Sequence, residues 1–515
     1  MGMSQSVRPR AVGIARSGEA VAWWRVPAVA TAVALPLYVV WAAVLATGGG
    51  DLAAQLAWAG FTARHPGAAY NLSWYGGSHT ANYSLLTPYL MAWFGVRAVS
   101  VAAGLGATWV LACLAGRWGY APALLGAAAI WCNVASGRTT FAVGVAIGLL
   151  ALLYVRRAVP AVLCAALATM ASPVAGLFLV VAGAAYLLDR RWGLAARLIV
   201  APAVVVAATT VVFPFHGEQP MAVGKLWMPL TACVALGAAA RPRIVRYAAG
   251  VYGLGVVLTY FIASPIGTNV ERLVGLAGPV VLLIAVLTAS SAARRLLLVA
   301  ALCVNCYWLV DKTLDDLRVS DTVPAWASDT GGVVAELKRL DADRTRVEVV
   351  PARNHREATA LAPHVNMARG WNRQLDVERG RLFYDGTLTP ATYRAWLNHW
   401  AVGYVVLPDG RPDGPAEGEA AIVGAGTPWL EPVWRDAHWS VYRVRDAVPL
   451  VSAPATVVRG SDAELVVRMP GAGSTTVRIA YSPWLKAEGA RVAKDGEWVR
   501  LTVDRAGTYR LGSGY

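Results

Sequence analysis

The feature that most constrains this chain is a succession of apolar runs, each close to the ~20 residues an α-helix needs to cross a bilayer, separated by short clusters of arginine. Such runs lie near residues 26–47, 98–116, 119–134, 139–155, 158–172, 174–188, 194–213, 222–240, 247–263, 272–289 and 296–311. They predict an all-α polytopic membrane bundle of about eleven helices. A cleaved signal peptide is the rival reading of the first run, but that run is too long and no small-residue cleavage site precedes Asp51.

Charge orients the helices. Arg8, Arg10, Arg16 and Arg25 precede the first run, which makes residues 1–25 a cytoplasmic tail by the positive-inside bias. Counting alternately from there, Arg117, Arg156/Arg157, Arg190/Arg191, Arg241/Arg243/Arg246 and Arg294/Arg295 all fall on the inner side. The transmembrane domain is expected over 26–311, with a large first outer loop over 48–97 and everything beyond Asp311 outside a plasma membrane. The segments joined at Ser172-Pro173 are short enough to form a re-entrant pair instead of two spans.

Composition separates the two parts. Residues 1–311 hold 20 Lys and Arg against 6 Asp and Glu, while residues 312–515 hold 26 against 25. The excess positive charge therefore lies between apolar runs and not on a soluble face, which excludes a nucleic-acid partner. All six cysteines fall in the apolar part, so no disulfide framework is expected in the tail, and Cys303-x-x-Cys306 lacks the strand and helix context of a redox motif.

The tail divides in two. Residues 312–447 mix helical runs (Val333 to Leu340, Pro390 to Trp400) with strand-like ones (Arg346 to Val350, Tyr404 to Leu407, Trp439 to Val444), the pattern of an extracytoplasmic α/β domain. Over 448–515, alternating segments near 464–469, 475–481, 498–503 and 508–511 predict a small β-sandwich-like module.

Candidate chemistry concentrates in the first outer loop, which is long for a connection and rich in polar and aromatic side chains. Gly48-Gly49-Gly50 permits a sharp turn before Asp51, the only carboxylate in the loop. Leu52 to Arg64 then has the character of an interfacial helix. Asp51 either caps that helix or serves as a general base. His79 is a second acid/base candidate, and Trp74, Asn82 and Tyr83 are candidate substrate contacts.

Other outer loops add His216, Glu218, Asn269, Glu271, Arg138 and Arg272. The last two are cations against the positive-inside trend, suited to a phosphate unless a salt bridge takes them. No metal ligand set is evident.

The many spans, the long first outer loop opening with Asp51 in Gly-Gly-Gly-Asp51-Leu-Ala-Ala-Gln55, and the C-terminal outer domain together resemble the GT-C superfamily of membrane glycosyltransferases. The stretch Gly267-Thr-Asn269-Val-Glu271-Arg272 is similar to a loop of actinobacterial membrane proteins of this kind. The resemblance implies a sugar transferase using a polyprenyl-phosphate donor and a cell-envelope glycan or glycolipid acceptor at the outer face, with Asp51 catalytic. It also raises a divalent cation (Mg or Mn) at Asp51. A lone carboxylate favours metal-independent transfer, with a cation such as Arg272 on the leaving phosphate.

The alternatives are a multi-pass transporter or facilitator and a non-catalytic envelope-assembly protein. The first would want ionisable groups at mid-depth of the bundle, and the second would use the tail's tryptophans to hold polymer.

Overall fold

The computed structural model describes residues 24–515; the arginines of the expected N-terminal tail before Arg25 lie outside the described residues. The apolar runs form α1 (Arg25–Val40, extended by a π-helical turn at Trp41–Leu45), α4 (Val96–Ala115), α5 (Tyr120–Ala135), α6 (Thr139–Leu153), α7 (Ala158–Ala171), α8 (Pro173–Leu188), α9 (Trp192–Val212), α10 (Trp227–Ala239), α11 (Arg243–Phe261), α12 (Glu271–Leu287) and α13 (Ala292–Ser320). Two further helices, α2 (Asp51–Arg64) and α3 (Thr87–Phe94), lie in the first long loop.

Six helical segments among the described residues are long and apolar enough to cross a membrane: 25–45, 96–118, 192–212, 243–261, 267–287 and 292–320. Helices α5, α6, α7, α8 and α10 are apolar but shorter. The outward faces are apolar as well, with Val33, Val39, Val211, Val234, Phe261 and Leu296 exposed, which is the signature of a bundle solvated by lipid. Inside, small residues let helices approach closely: a Cβ on Gly104 would meet the Tyr38 ring at 2.4 Å, and one on Gly176 would meet Thr169 Oγ1 at 2.4 Å.

Two departures from the sequence reading matter for function. Helix α13 does not stop at Asp311 but continues to Ser320, carrying Lys312 and Asp316 past the apolar run. Helix α2 leaves no free apolar face. Leu52, Ala53, Ala54, Gln55, Trp58, Phe61 and Thr62 are all buried, because the helix is enclosed between the bundle and the C-terminal region.

That region is mixed α/β followed by β-sheet. Strands β1 (Arg346–Val349), β2 (Asn366–Met367), β3 (Val402–Pro408), β4 (Leu430–Arg435) and β5 (Trp439–Val444) form one sheet in the order β2-β1-β3-β5-β4, parallel among the first three and antiparallel beyond. Strands β6 (Thr456–Gly460), β7 (Glu464–Met469), β12 (Gly507–Ser513) and β9 (Leu485–Ala487) form a second sheet, and β10 (Arg491–Asp495), β11 (Trp498–Val503) and β8 (Gly473–Val477) a third. Alternate residues of these last two sheets, including Leu465, Val467, Val477, Leu501 and Leu511, bury into one core, as expected for strands with one face dry.

The first long loop is knitted into this region. Backbone N–H groups of Tyr70 and Leu72 donate to Ser513 Oγ (2.9 Å) and Asp462 O (2.7 Å), and those of Met367 and Ala480 donate to Ser73 O (2.9 Å) and Gly76 O (2.8 Å). A loop of this length costs conformational entropy to order, and these bonds, together with the burial of Tyr70, Leu72, Trp74 and Tyr75, offset that cost.

Candidate active site

Asp51 is placed by a turn and a clamp. Gly50 adopts φ 63° and ψ −141°, a conformation open to glycine, and its N–H donates to Asn354 O at 2.8 Å. Beside it, the Arg356 guanidinium donates to Thr47 O (2.6 Å), Thr47 Oγ1 (2.6 Å), Ser320 O (3.0 Å) and Thr322 O (3.1 Å). One side chain of the C-terminal region thus ties the end of the first membrane helix to the end of α13. A Cβ on Gly49 would sit 3.1 Å from that guanidinium, so the glycines also make room for the clamp.

The capping reading of Asp51 does not hold geometrically. Gly50 is the N-cap and no side chain caps α2. The carboxylate instead accepts from Arg138 Nε at 3.2 Å, and Arg272 Nη2 lies 3.9 Å away. Arg138 Nη2 also donates to Asp316 Oδ2 at 2.7 Å, so one guanidinium spans two carboxylates from opposite ends of the bundle sequence.

Any divalent cation between those carboxylates would displace Arg138. Arg138 stands between Asp51 and Asp316, and among the described residues no group of three or more His, Cys, Asp or Glu converges.

Asp51 and Arg272 stand on the wall between two cavities, together with Gln219, Asn269, Trp371 and Arg373. The first, of about 360 Å³, runs along Trp58, Tyr83 and Phe141 to Met170, Val205, Val206 and Thr209 at the level of the apolar helices. The second, of about 350 Å³, is polar and reaches Asn133, Glu271, Lys312 and Asp316.

The shared wall is held by amides. Gln219 donates to Thr268 Oγ1 (2.5 Å), and its Oε1 accepts from Asn269 (2.8 Å) and Gln374 (3.1 Å). Gly267, at φ 44°, lies so close that a Cβ would come within 2.2 Å of Gln219 O. Gln55, one turn beyond Asp51, accepts from Thr140 Oγ1 at 2.6 Å. Trp371 is stacked on His355 at 3.4 Å between ring centroids, and Arg373 is fixed by Asp413 at 2.7 Å.

Of the residues singled out from sequence, Asp51, Asn82, Tyr83, Arg138, Asn269, Glu271 and Arg272 line one or both cavities. Trp74 does not; it is 2% exposed in the core beneath Gly370. His79 is equally buried, with Nδ1 2.8 Å from Ala69 O and Nε2 2.9 Å from Ser482 Oγ, and burial pushes its pKa down to about 4. Such a histidine pins the loop to the β-sheet region and is not poised to exchange protons with a substrate.

His216 lies in a separate cleft with Glu378 and His399, and Glu218 faces Arg381 at 3.4 Å. The sequence reading missed Gln55, Trp58, Gln219, Lys312, Asp316, Trp371, Arg373 and Gln374. For Gln55 and Trp58 a signal existed, since spacings of four and seven from Asp51 put them on one helical face.

Residues 452–494 match a family model described as a domain of unknown function, DUF8823. No curated protein matches the chain. Among solved structures, the cryo-EM structure of arabinofuranosyltransferase AftD from Mycobacteria is similar over 95% of this chain, with a TM-score of 0.42 and 13% identity. The chain spans 57% of the length of AftD.

Proposed function

We propose that this chain is a multi-pass membrane glycosyltransferase that moves a sugar from a polyprenyl-phosphate donor to a cell-envelope glycan or glycolipid at the outer face of the plasma membrane. Its N-terminus is cytoplasmic and its C-terminal region extracytoplasmic, the orientation that the arginine clusters favour. The observation that carries the reading is the position of Asp51, a carboxylate with cations beside it on the wall between an apolar cavity at bilayer level and a polar one. A lipid-borne phosphate needs that combination: an apolar approach for the chain, guanidinium groups for the anion and a base at the junction.

In the transfer, the acceptor hydroxyl gives its proton to the Asp51 carboxylate as its oxygen bonds to the anomeric carbon. The bond from that carbon to the phosphate oxygen breaks, and its electron pair leaves with the polyprenyl phosphate. Arg272 and Arg373, both half-buried, meet the charge that develops there, where a partly desolvated cation acts more strongly than in water. Arg138, held between Asp51 and Asp316, orients the base.

The test is transfer of radiolabelled sugar from a panel of polyprenyl-phosphate pentoses and hexoses in membranes containing matched amounts of wild type or Asp51→Asn. A base of this kind contributes roughly 10²- to 10⁴-fold, so Asp51→Asn is expected to lose transfer by at least that lower factor. Equal transfer by both proteins would reject Asp51 as base.

A further inference from the structure

Three polar side chains that line the polar cavity make no direct hydrogen bond or ion pair among the described residues. Glu271, the first residue of α12, is 4% exposed and makes no hydrogen bond or ion pair among the described residues. Asn133 on α5, 8% exposed, has no side-chain partner either. Lys312 on α13, half-buried, likewise makes no hydrogen bond or ion pair among the described residues. Their polar atoms open onto the cavity, where Glu271 and Lys312 also feel each other's charge, so that hydroxyl groups of a ligand can satisfy them in place of water. Three such groups from three helices, turned on one chamber, mark a site built for a ligand that completes them.

Their chemistry selects the ligand. Glu271 would repel a bare phosphate, and Lys312 with Arg138 would repel a cation. A neutral polyol suits all three, because a hydroxyl donates to the carboxylate, accepts from the ammonium and does either with the amide. Gly275, Leu276 and Trp308 supply an apolar and aromatic part of the wall, which suits the C–H face of a ring. A volume of about 350 Å³ is ample for a sugar ring.

We infer that this chamber seats the sugar ring of the donor and that Glu271, Asn133 and Lys312 are the residues that choose it. The inference rests on the glycosyltransferase reading and deepens it. The lipid lies along the apolar cavity, the phosphate meets Arg272 and Arg373 on the shared wall, and the ring passes into the polar chamber. A site that bonds a particular hydroxyl discriminates strongly against the analogue lacking it, because its own buried groups are then left bare.

The experiment pairs variants with deoxy donors, using the full chain in nanodiscs. Glu271→Gln and Asn133→Ala are assayed with the best donor of the panel and with its singly deoxygenated analogues. For Glu271→Gln, transfer of the parent sugar is expected to fall roughly 10²-fold, while for one deoxy analogue variant and wild type become equal. A uniform loss across all analogues, or no loss with the parent, would overturn the assignment while leaving the transferase reading intact. If wild type transfers from no donor, that reading falls, and equilibrium binding of the same donors decides the chamber. Binding that weakens in Glu271→Gln and Asn133→Ala keeps it as a sugar site, and absence of binding to wild type overturns it.

Discussion

His79 offers a quantitative check on how the first long loop is held. Its folded pKa is about 4, lowered by burial, against an ordinary value of 6.5. The folded protein therefore resists protonation that the unfolded chain accepts. This contribution to stability is fully present above about pH 6.5 and is lost as pH falls through the window toward about 4. At 1.36 kcal/mol per pH unit the ceiling is about 3 kcal/mol, and between about pH 7.5 and about pH 5 the loss is about 2 kcal/mol.

Because His79 bonds to Ala69 and Ser482, the loss should appear at the junction of the loop with the β-sheet region. The readout is amide exchange at Asn71 and Leu72, whose N–H groups bond to Ser78 O and Asp462 O. After correction for intrinsic exchange rates, protection in wild type should drop about 30-fold across that pH range. His79→Gln keeps a donor and an acceptor but cannot titrate, so most of the drop should vanish. The same drop in variant and wild type, or rising protection with falling pH, would refute the linkage.

Two further predictions concern the clamp and the shared wall. Arg356→Ala removes the donor shared by the Thr47, Ser320 and Thr322 oxygens, of which Ser320 O keeps only the Thr47 hydroxyl, and should cost about 3 kcal/mol. Amides near residues 50–54 should then exchange faster and transfer should fall, and Arg356→Lys should not restore either, because an ammonium cannot reproduce the fork. Gly267→Ala drives a methyl into Gln219 O at a positive φ; purified protein is expected to retain its fold by circular dichroism but bind donor at least tenfold more weakly, and unchanged binding would show that the amide wall does not contact substrate.

Helix positions were legible because lipid permits so few solutions: apolar runs broken by arginine can hardly be anything else. Asp51, Arg138 and Arg272 stand out in the sequence as charges out of place, and the structure puts the two arginines 3.2 and 3.9 Å from the Asp51 carboxylate. The chain beyond Asp311 was harder. Once α13 leaves the apolar run its composition becomes ordinary, so Lys312 and Asp316 read as soluble tail although they sit on the same rigid helix.

Trp74 and His79 were misjudged for a different reason. An aromatic or a histidine in a polar loop has the same sequence signature whether it faces a cavity or a core, and what covers this loop is encoded hundreds of residues later. Trp371, Arg373 and Gln374 gave no local sign at all, since only the docking of the C-terminal region brings them to the site.

The dependence of the first loop on Asp462, Ala480 and Ser513 sets an order of events during synthesis. The loop emerges early from the ribosome, while its partners are still untranslated, so it waits unpaired until those distant segments have been made. A nascent chain halted before that point would hold Asp51 without its surroundings. The surroundings of Asp51 are therefore complete only once the last strand of the chain has been made.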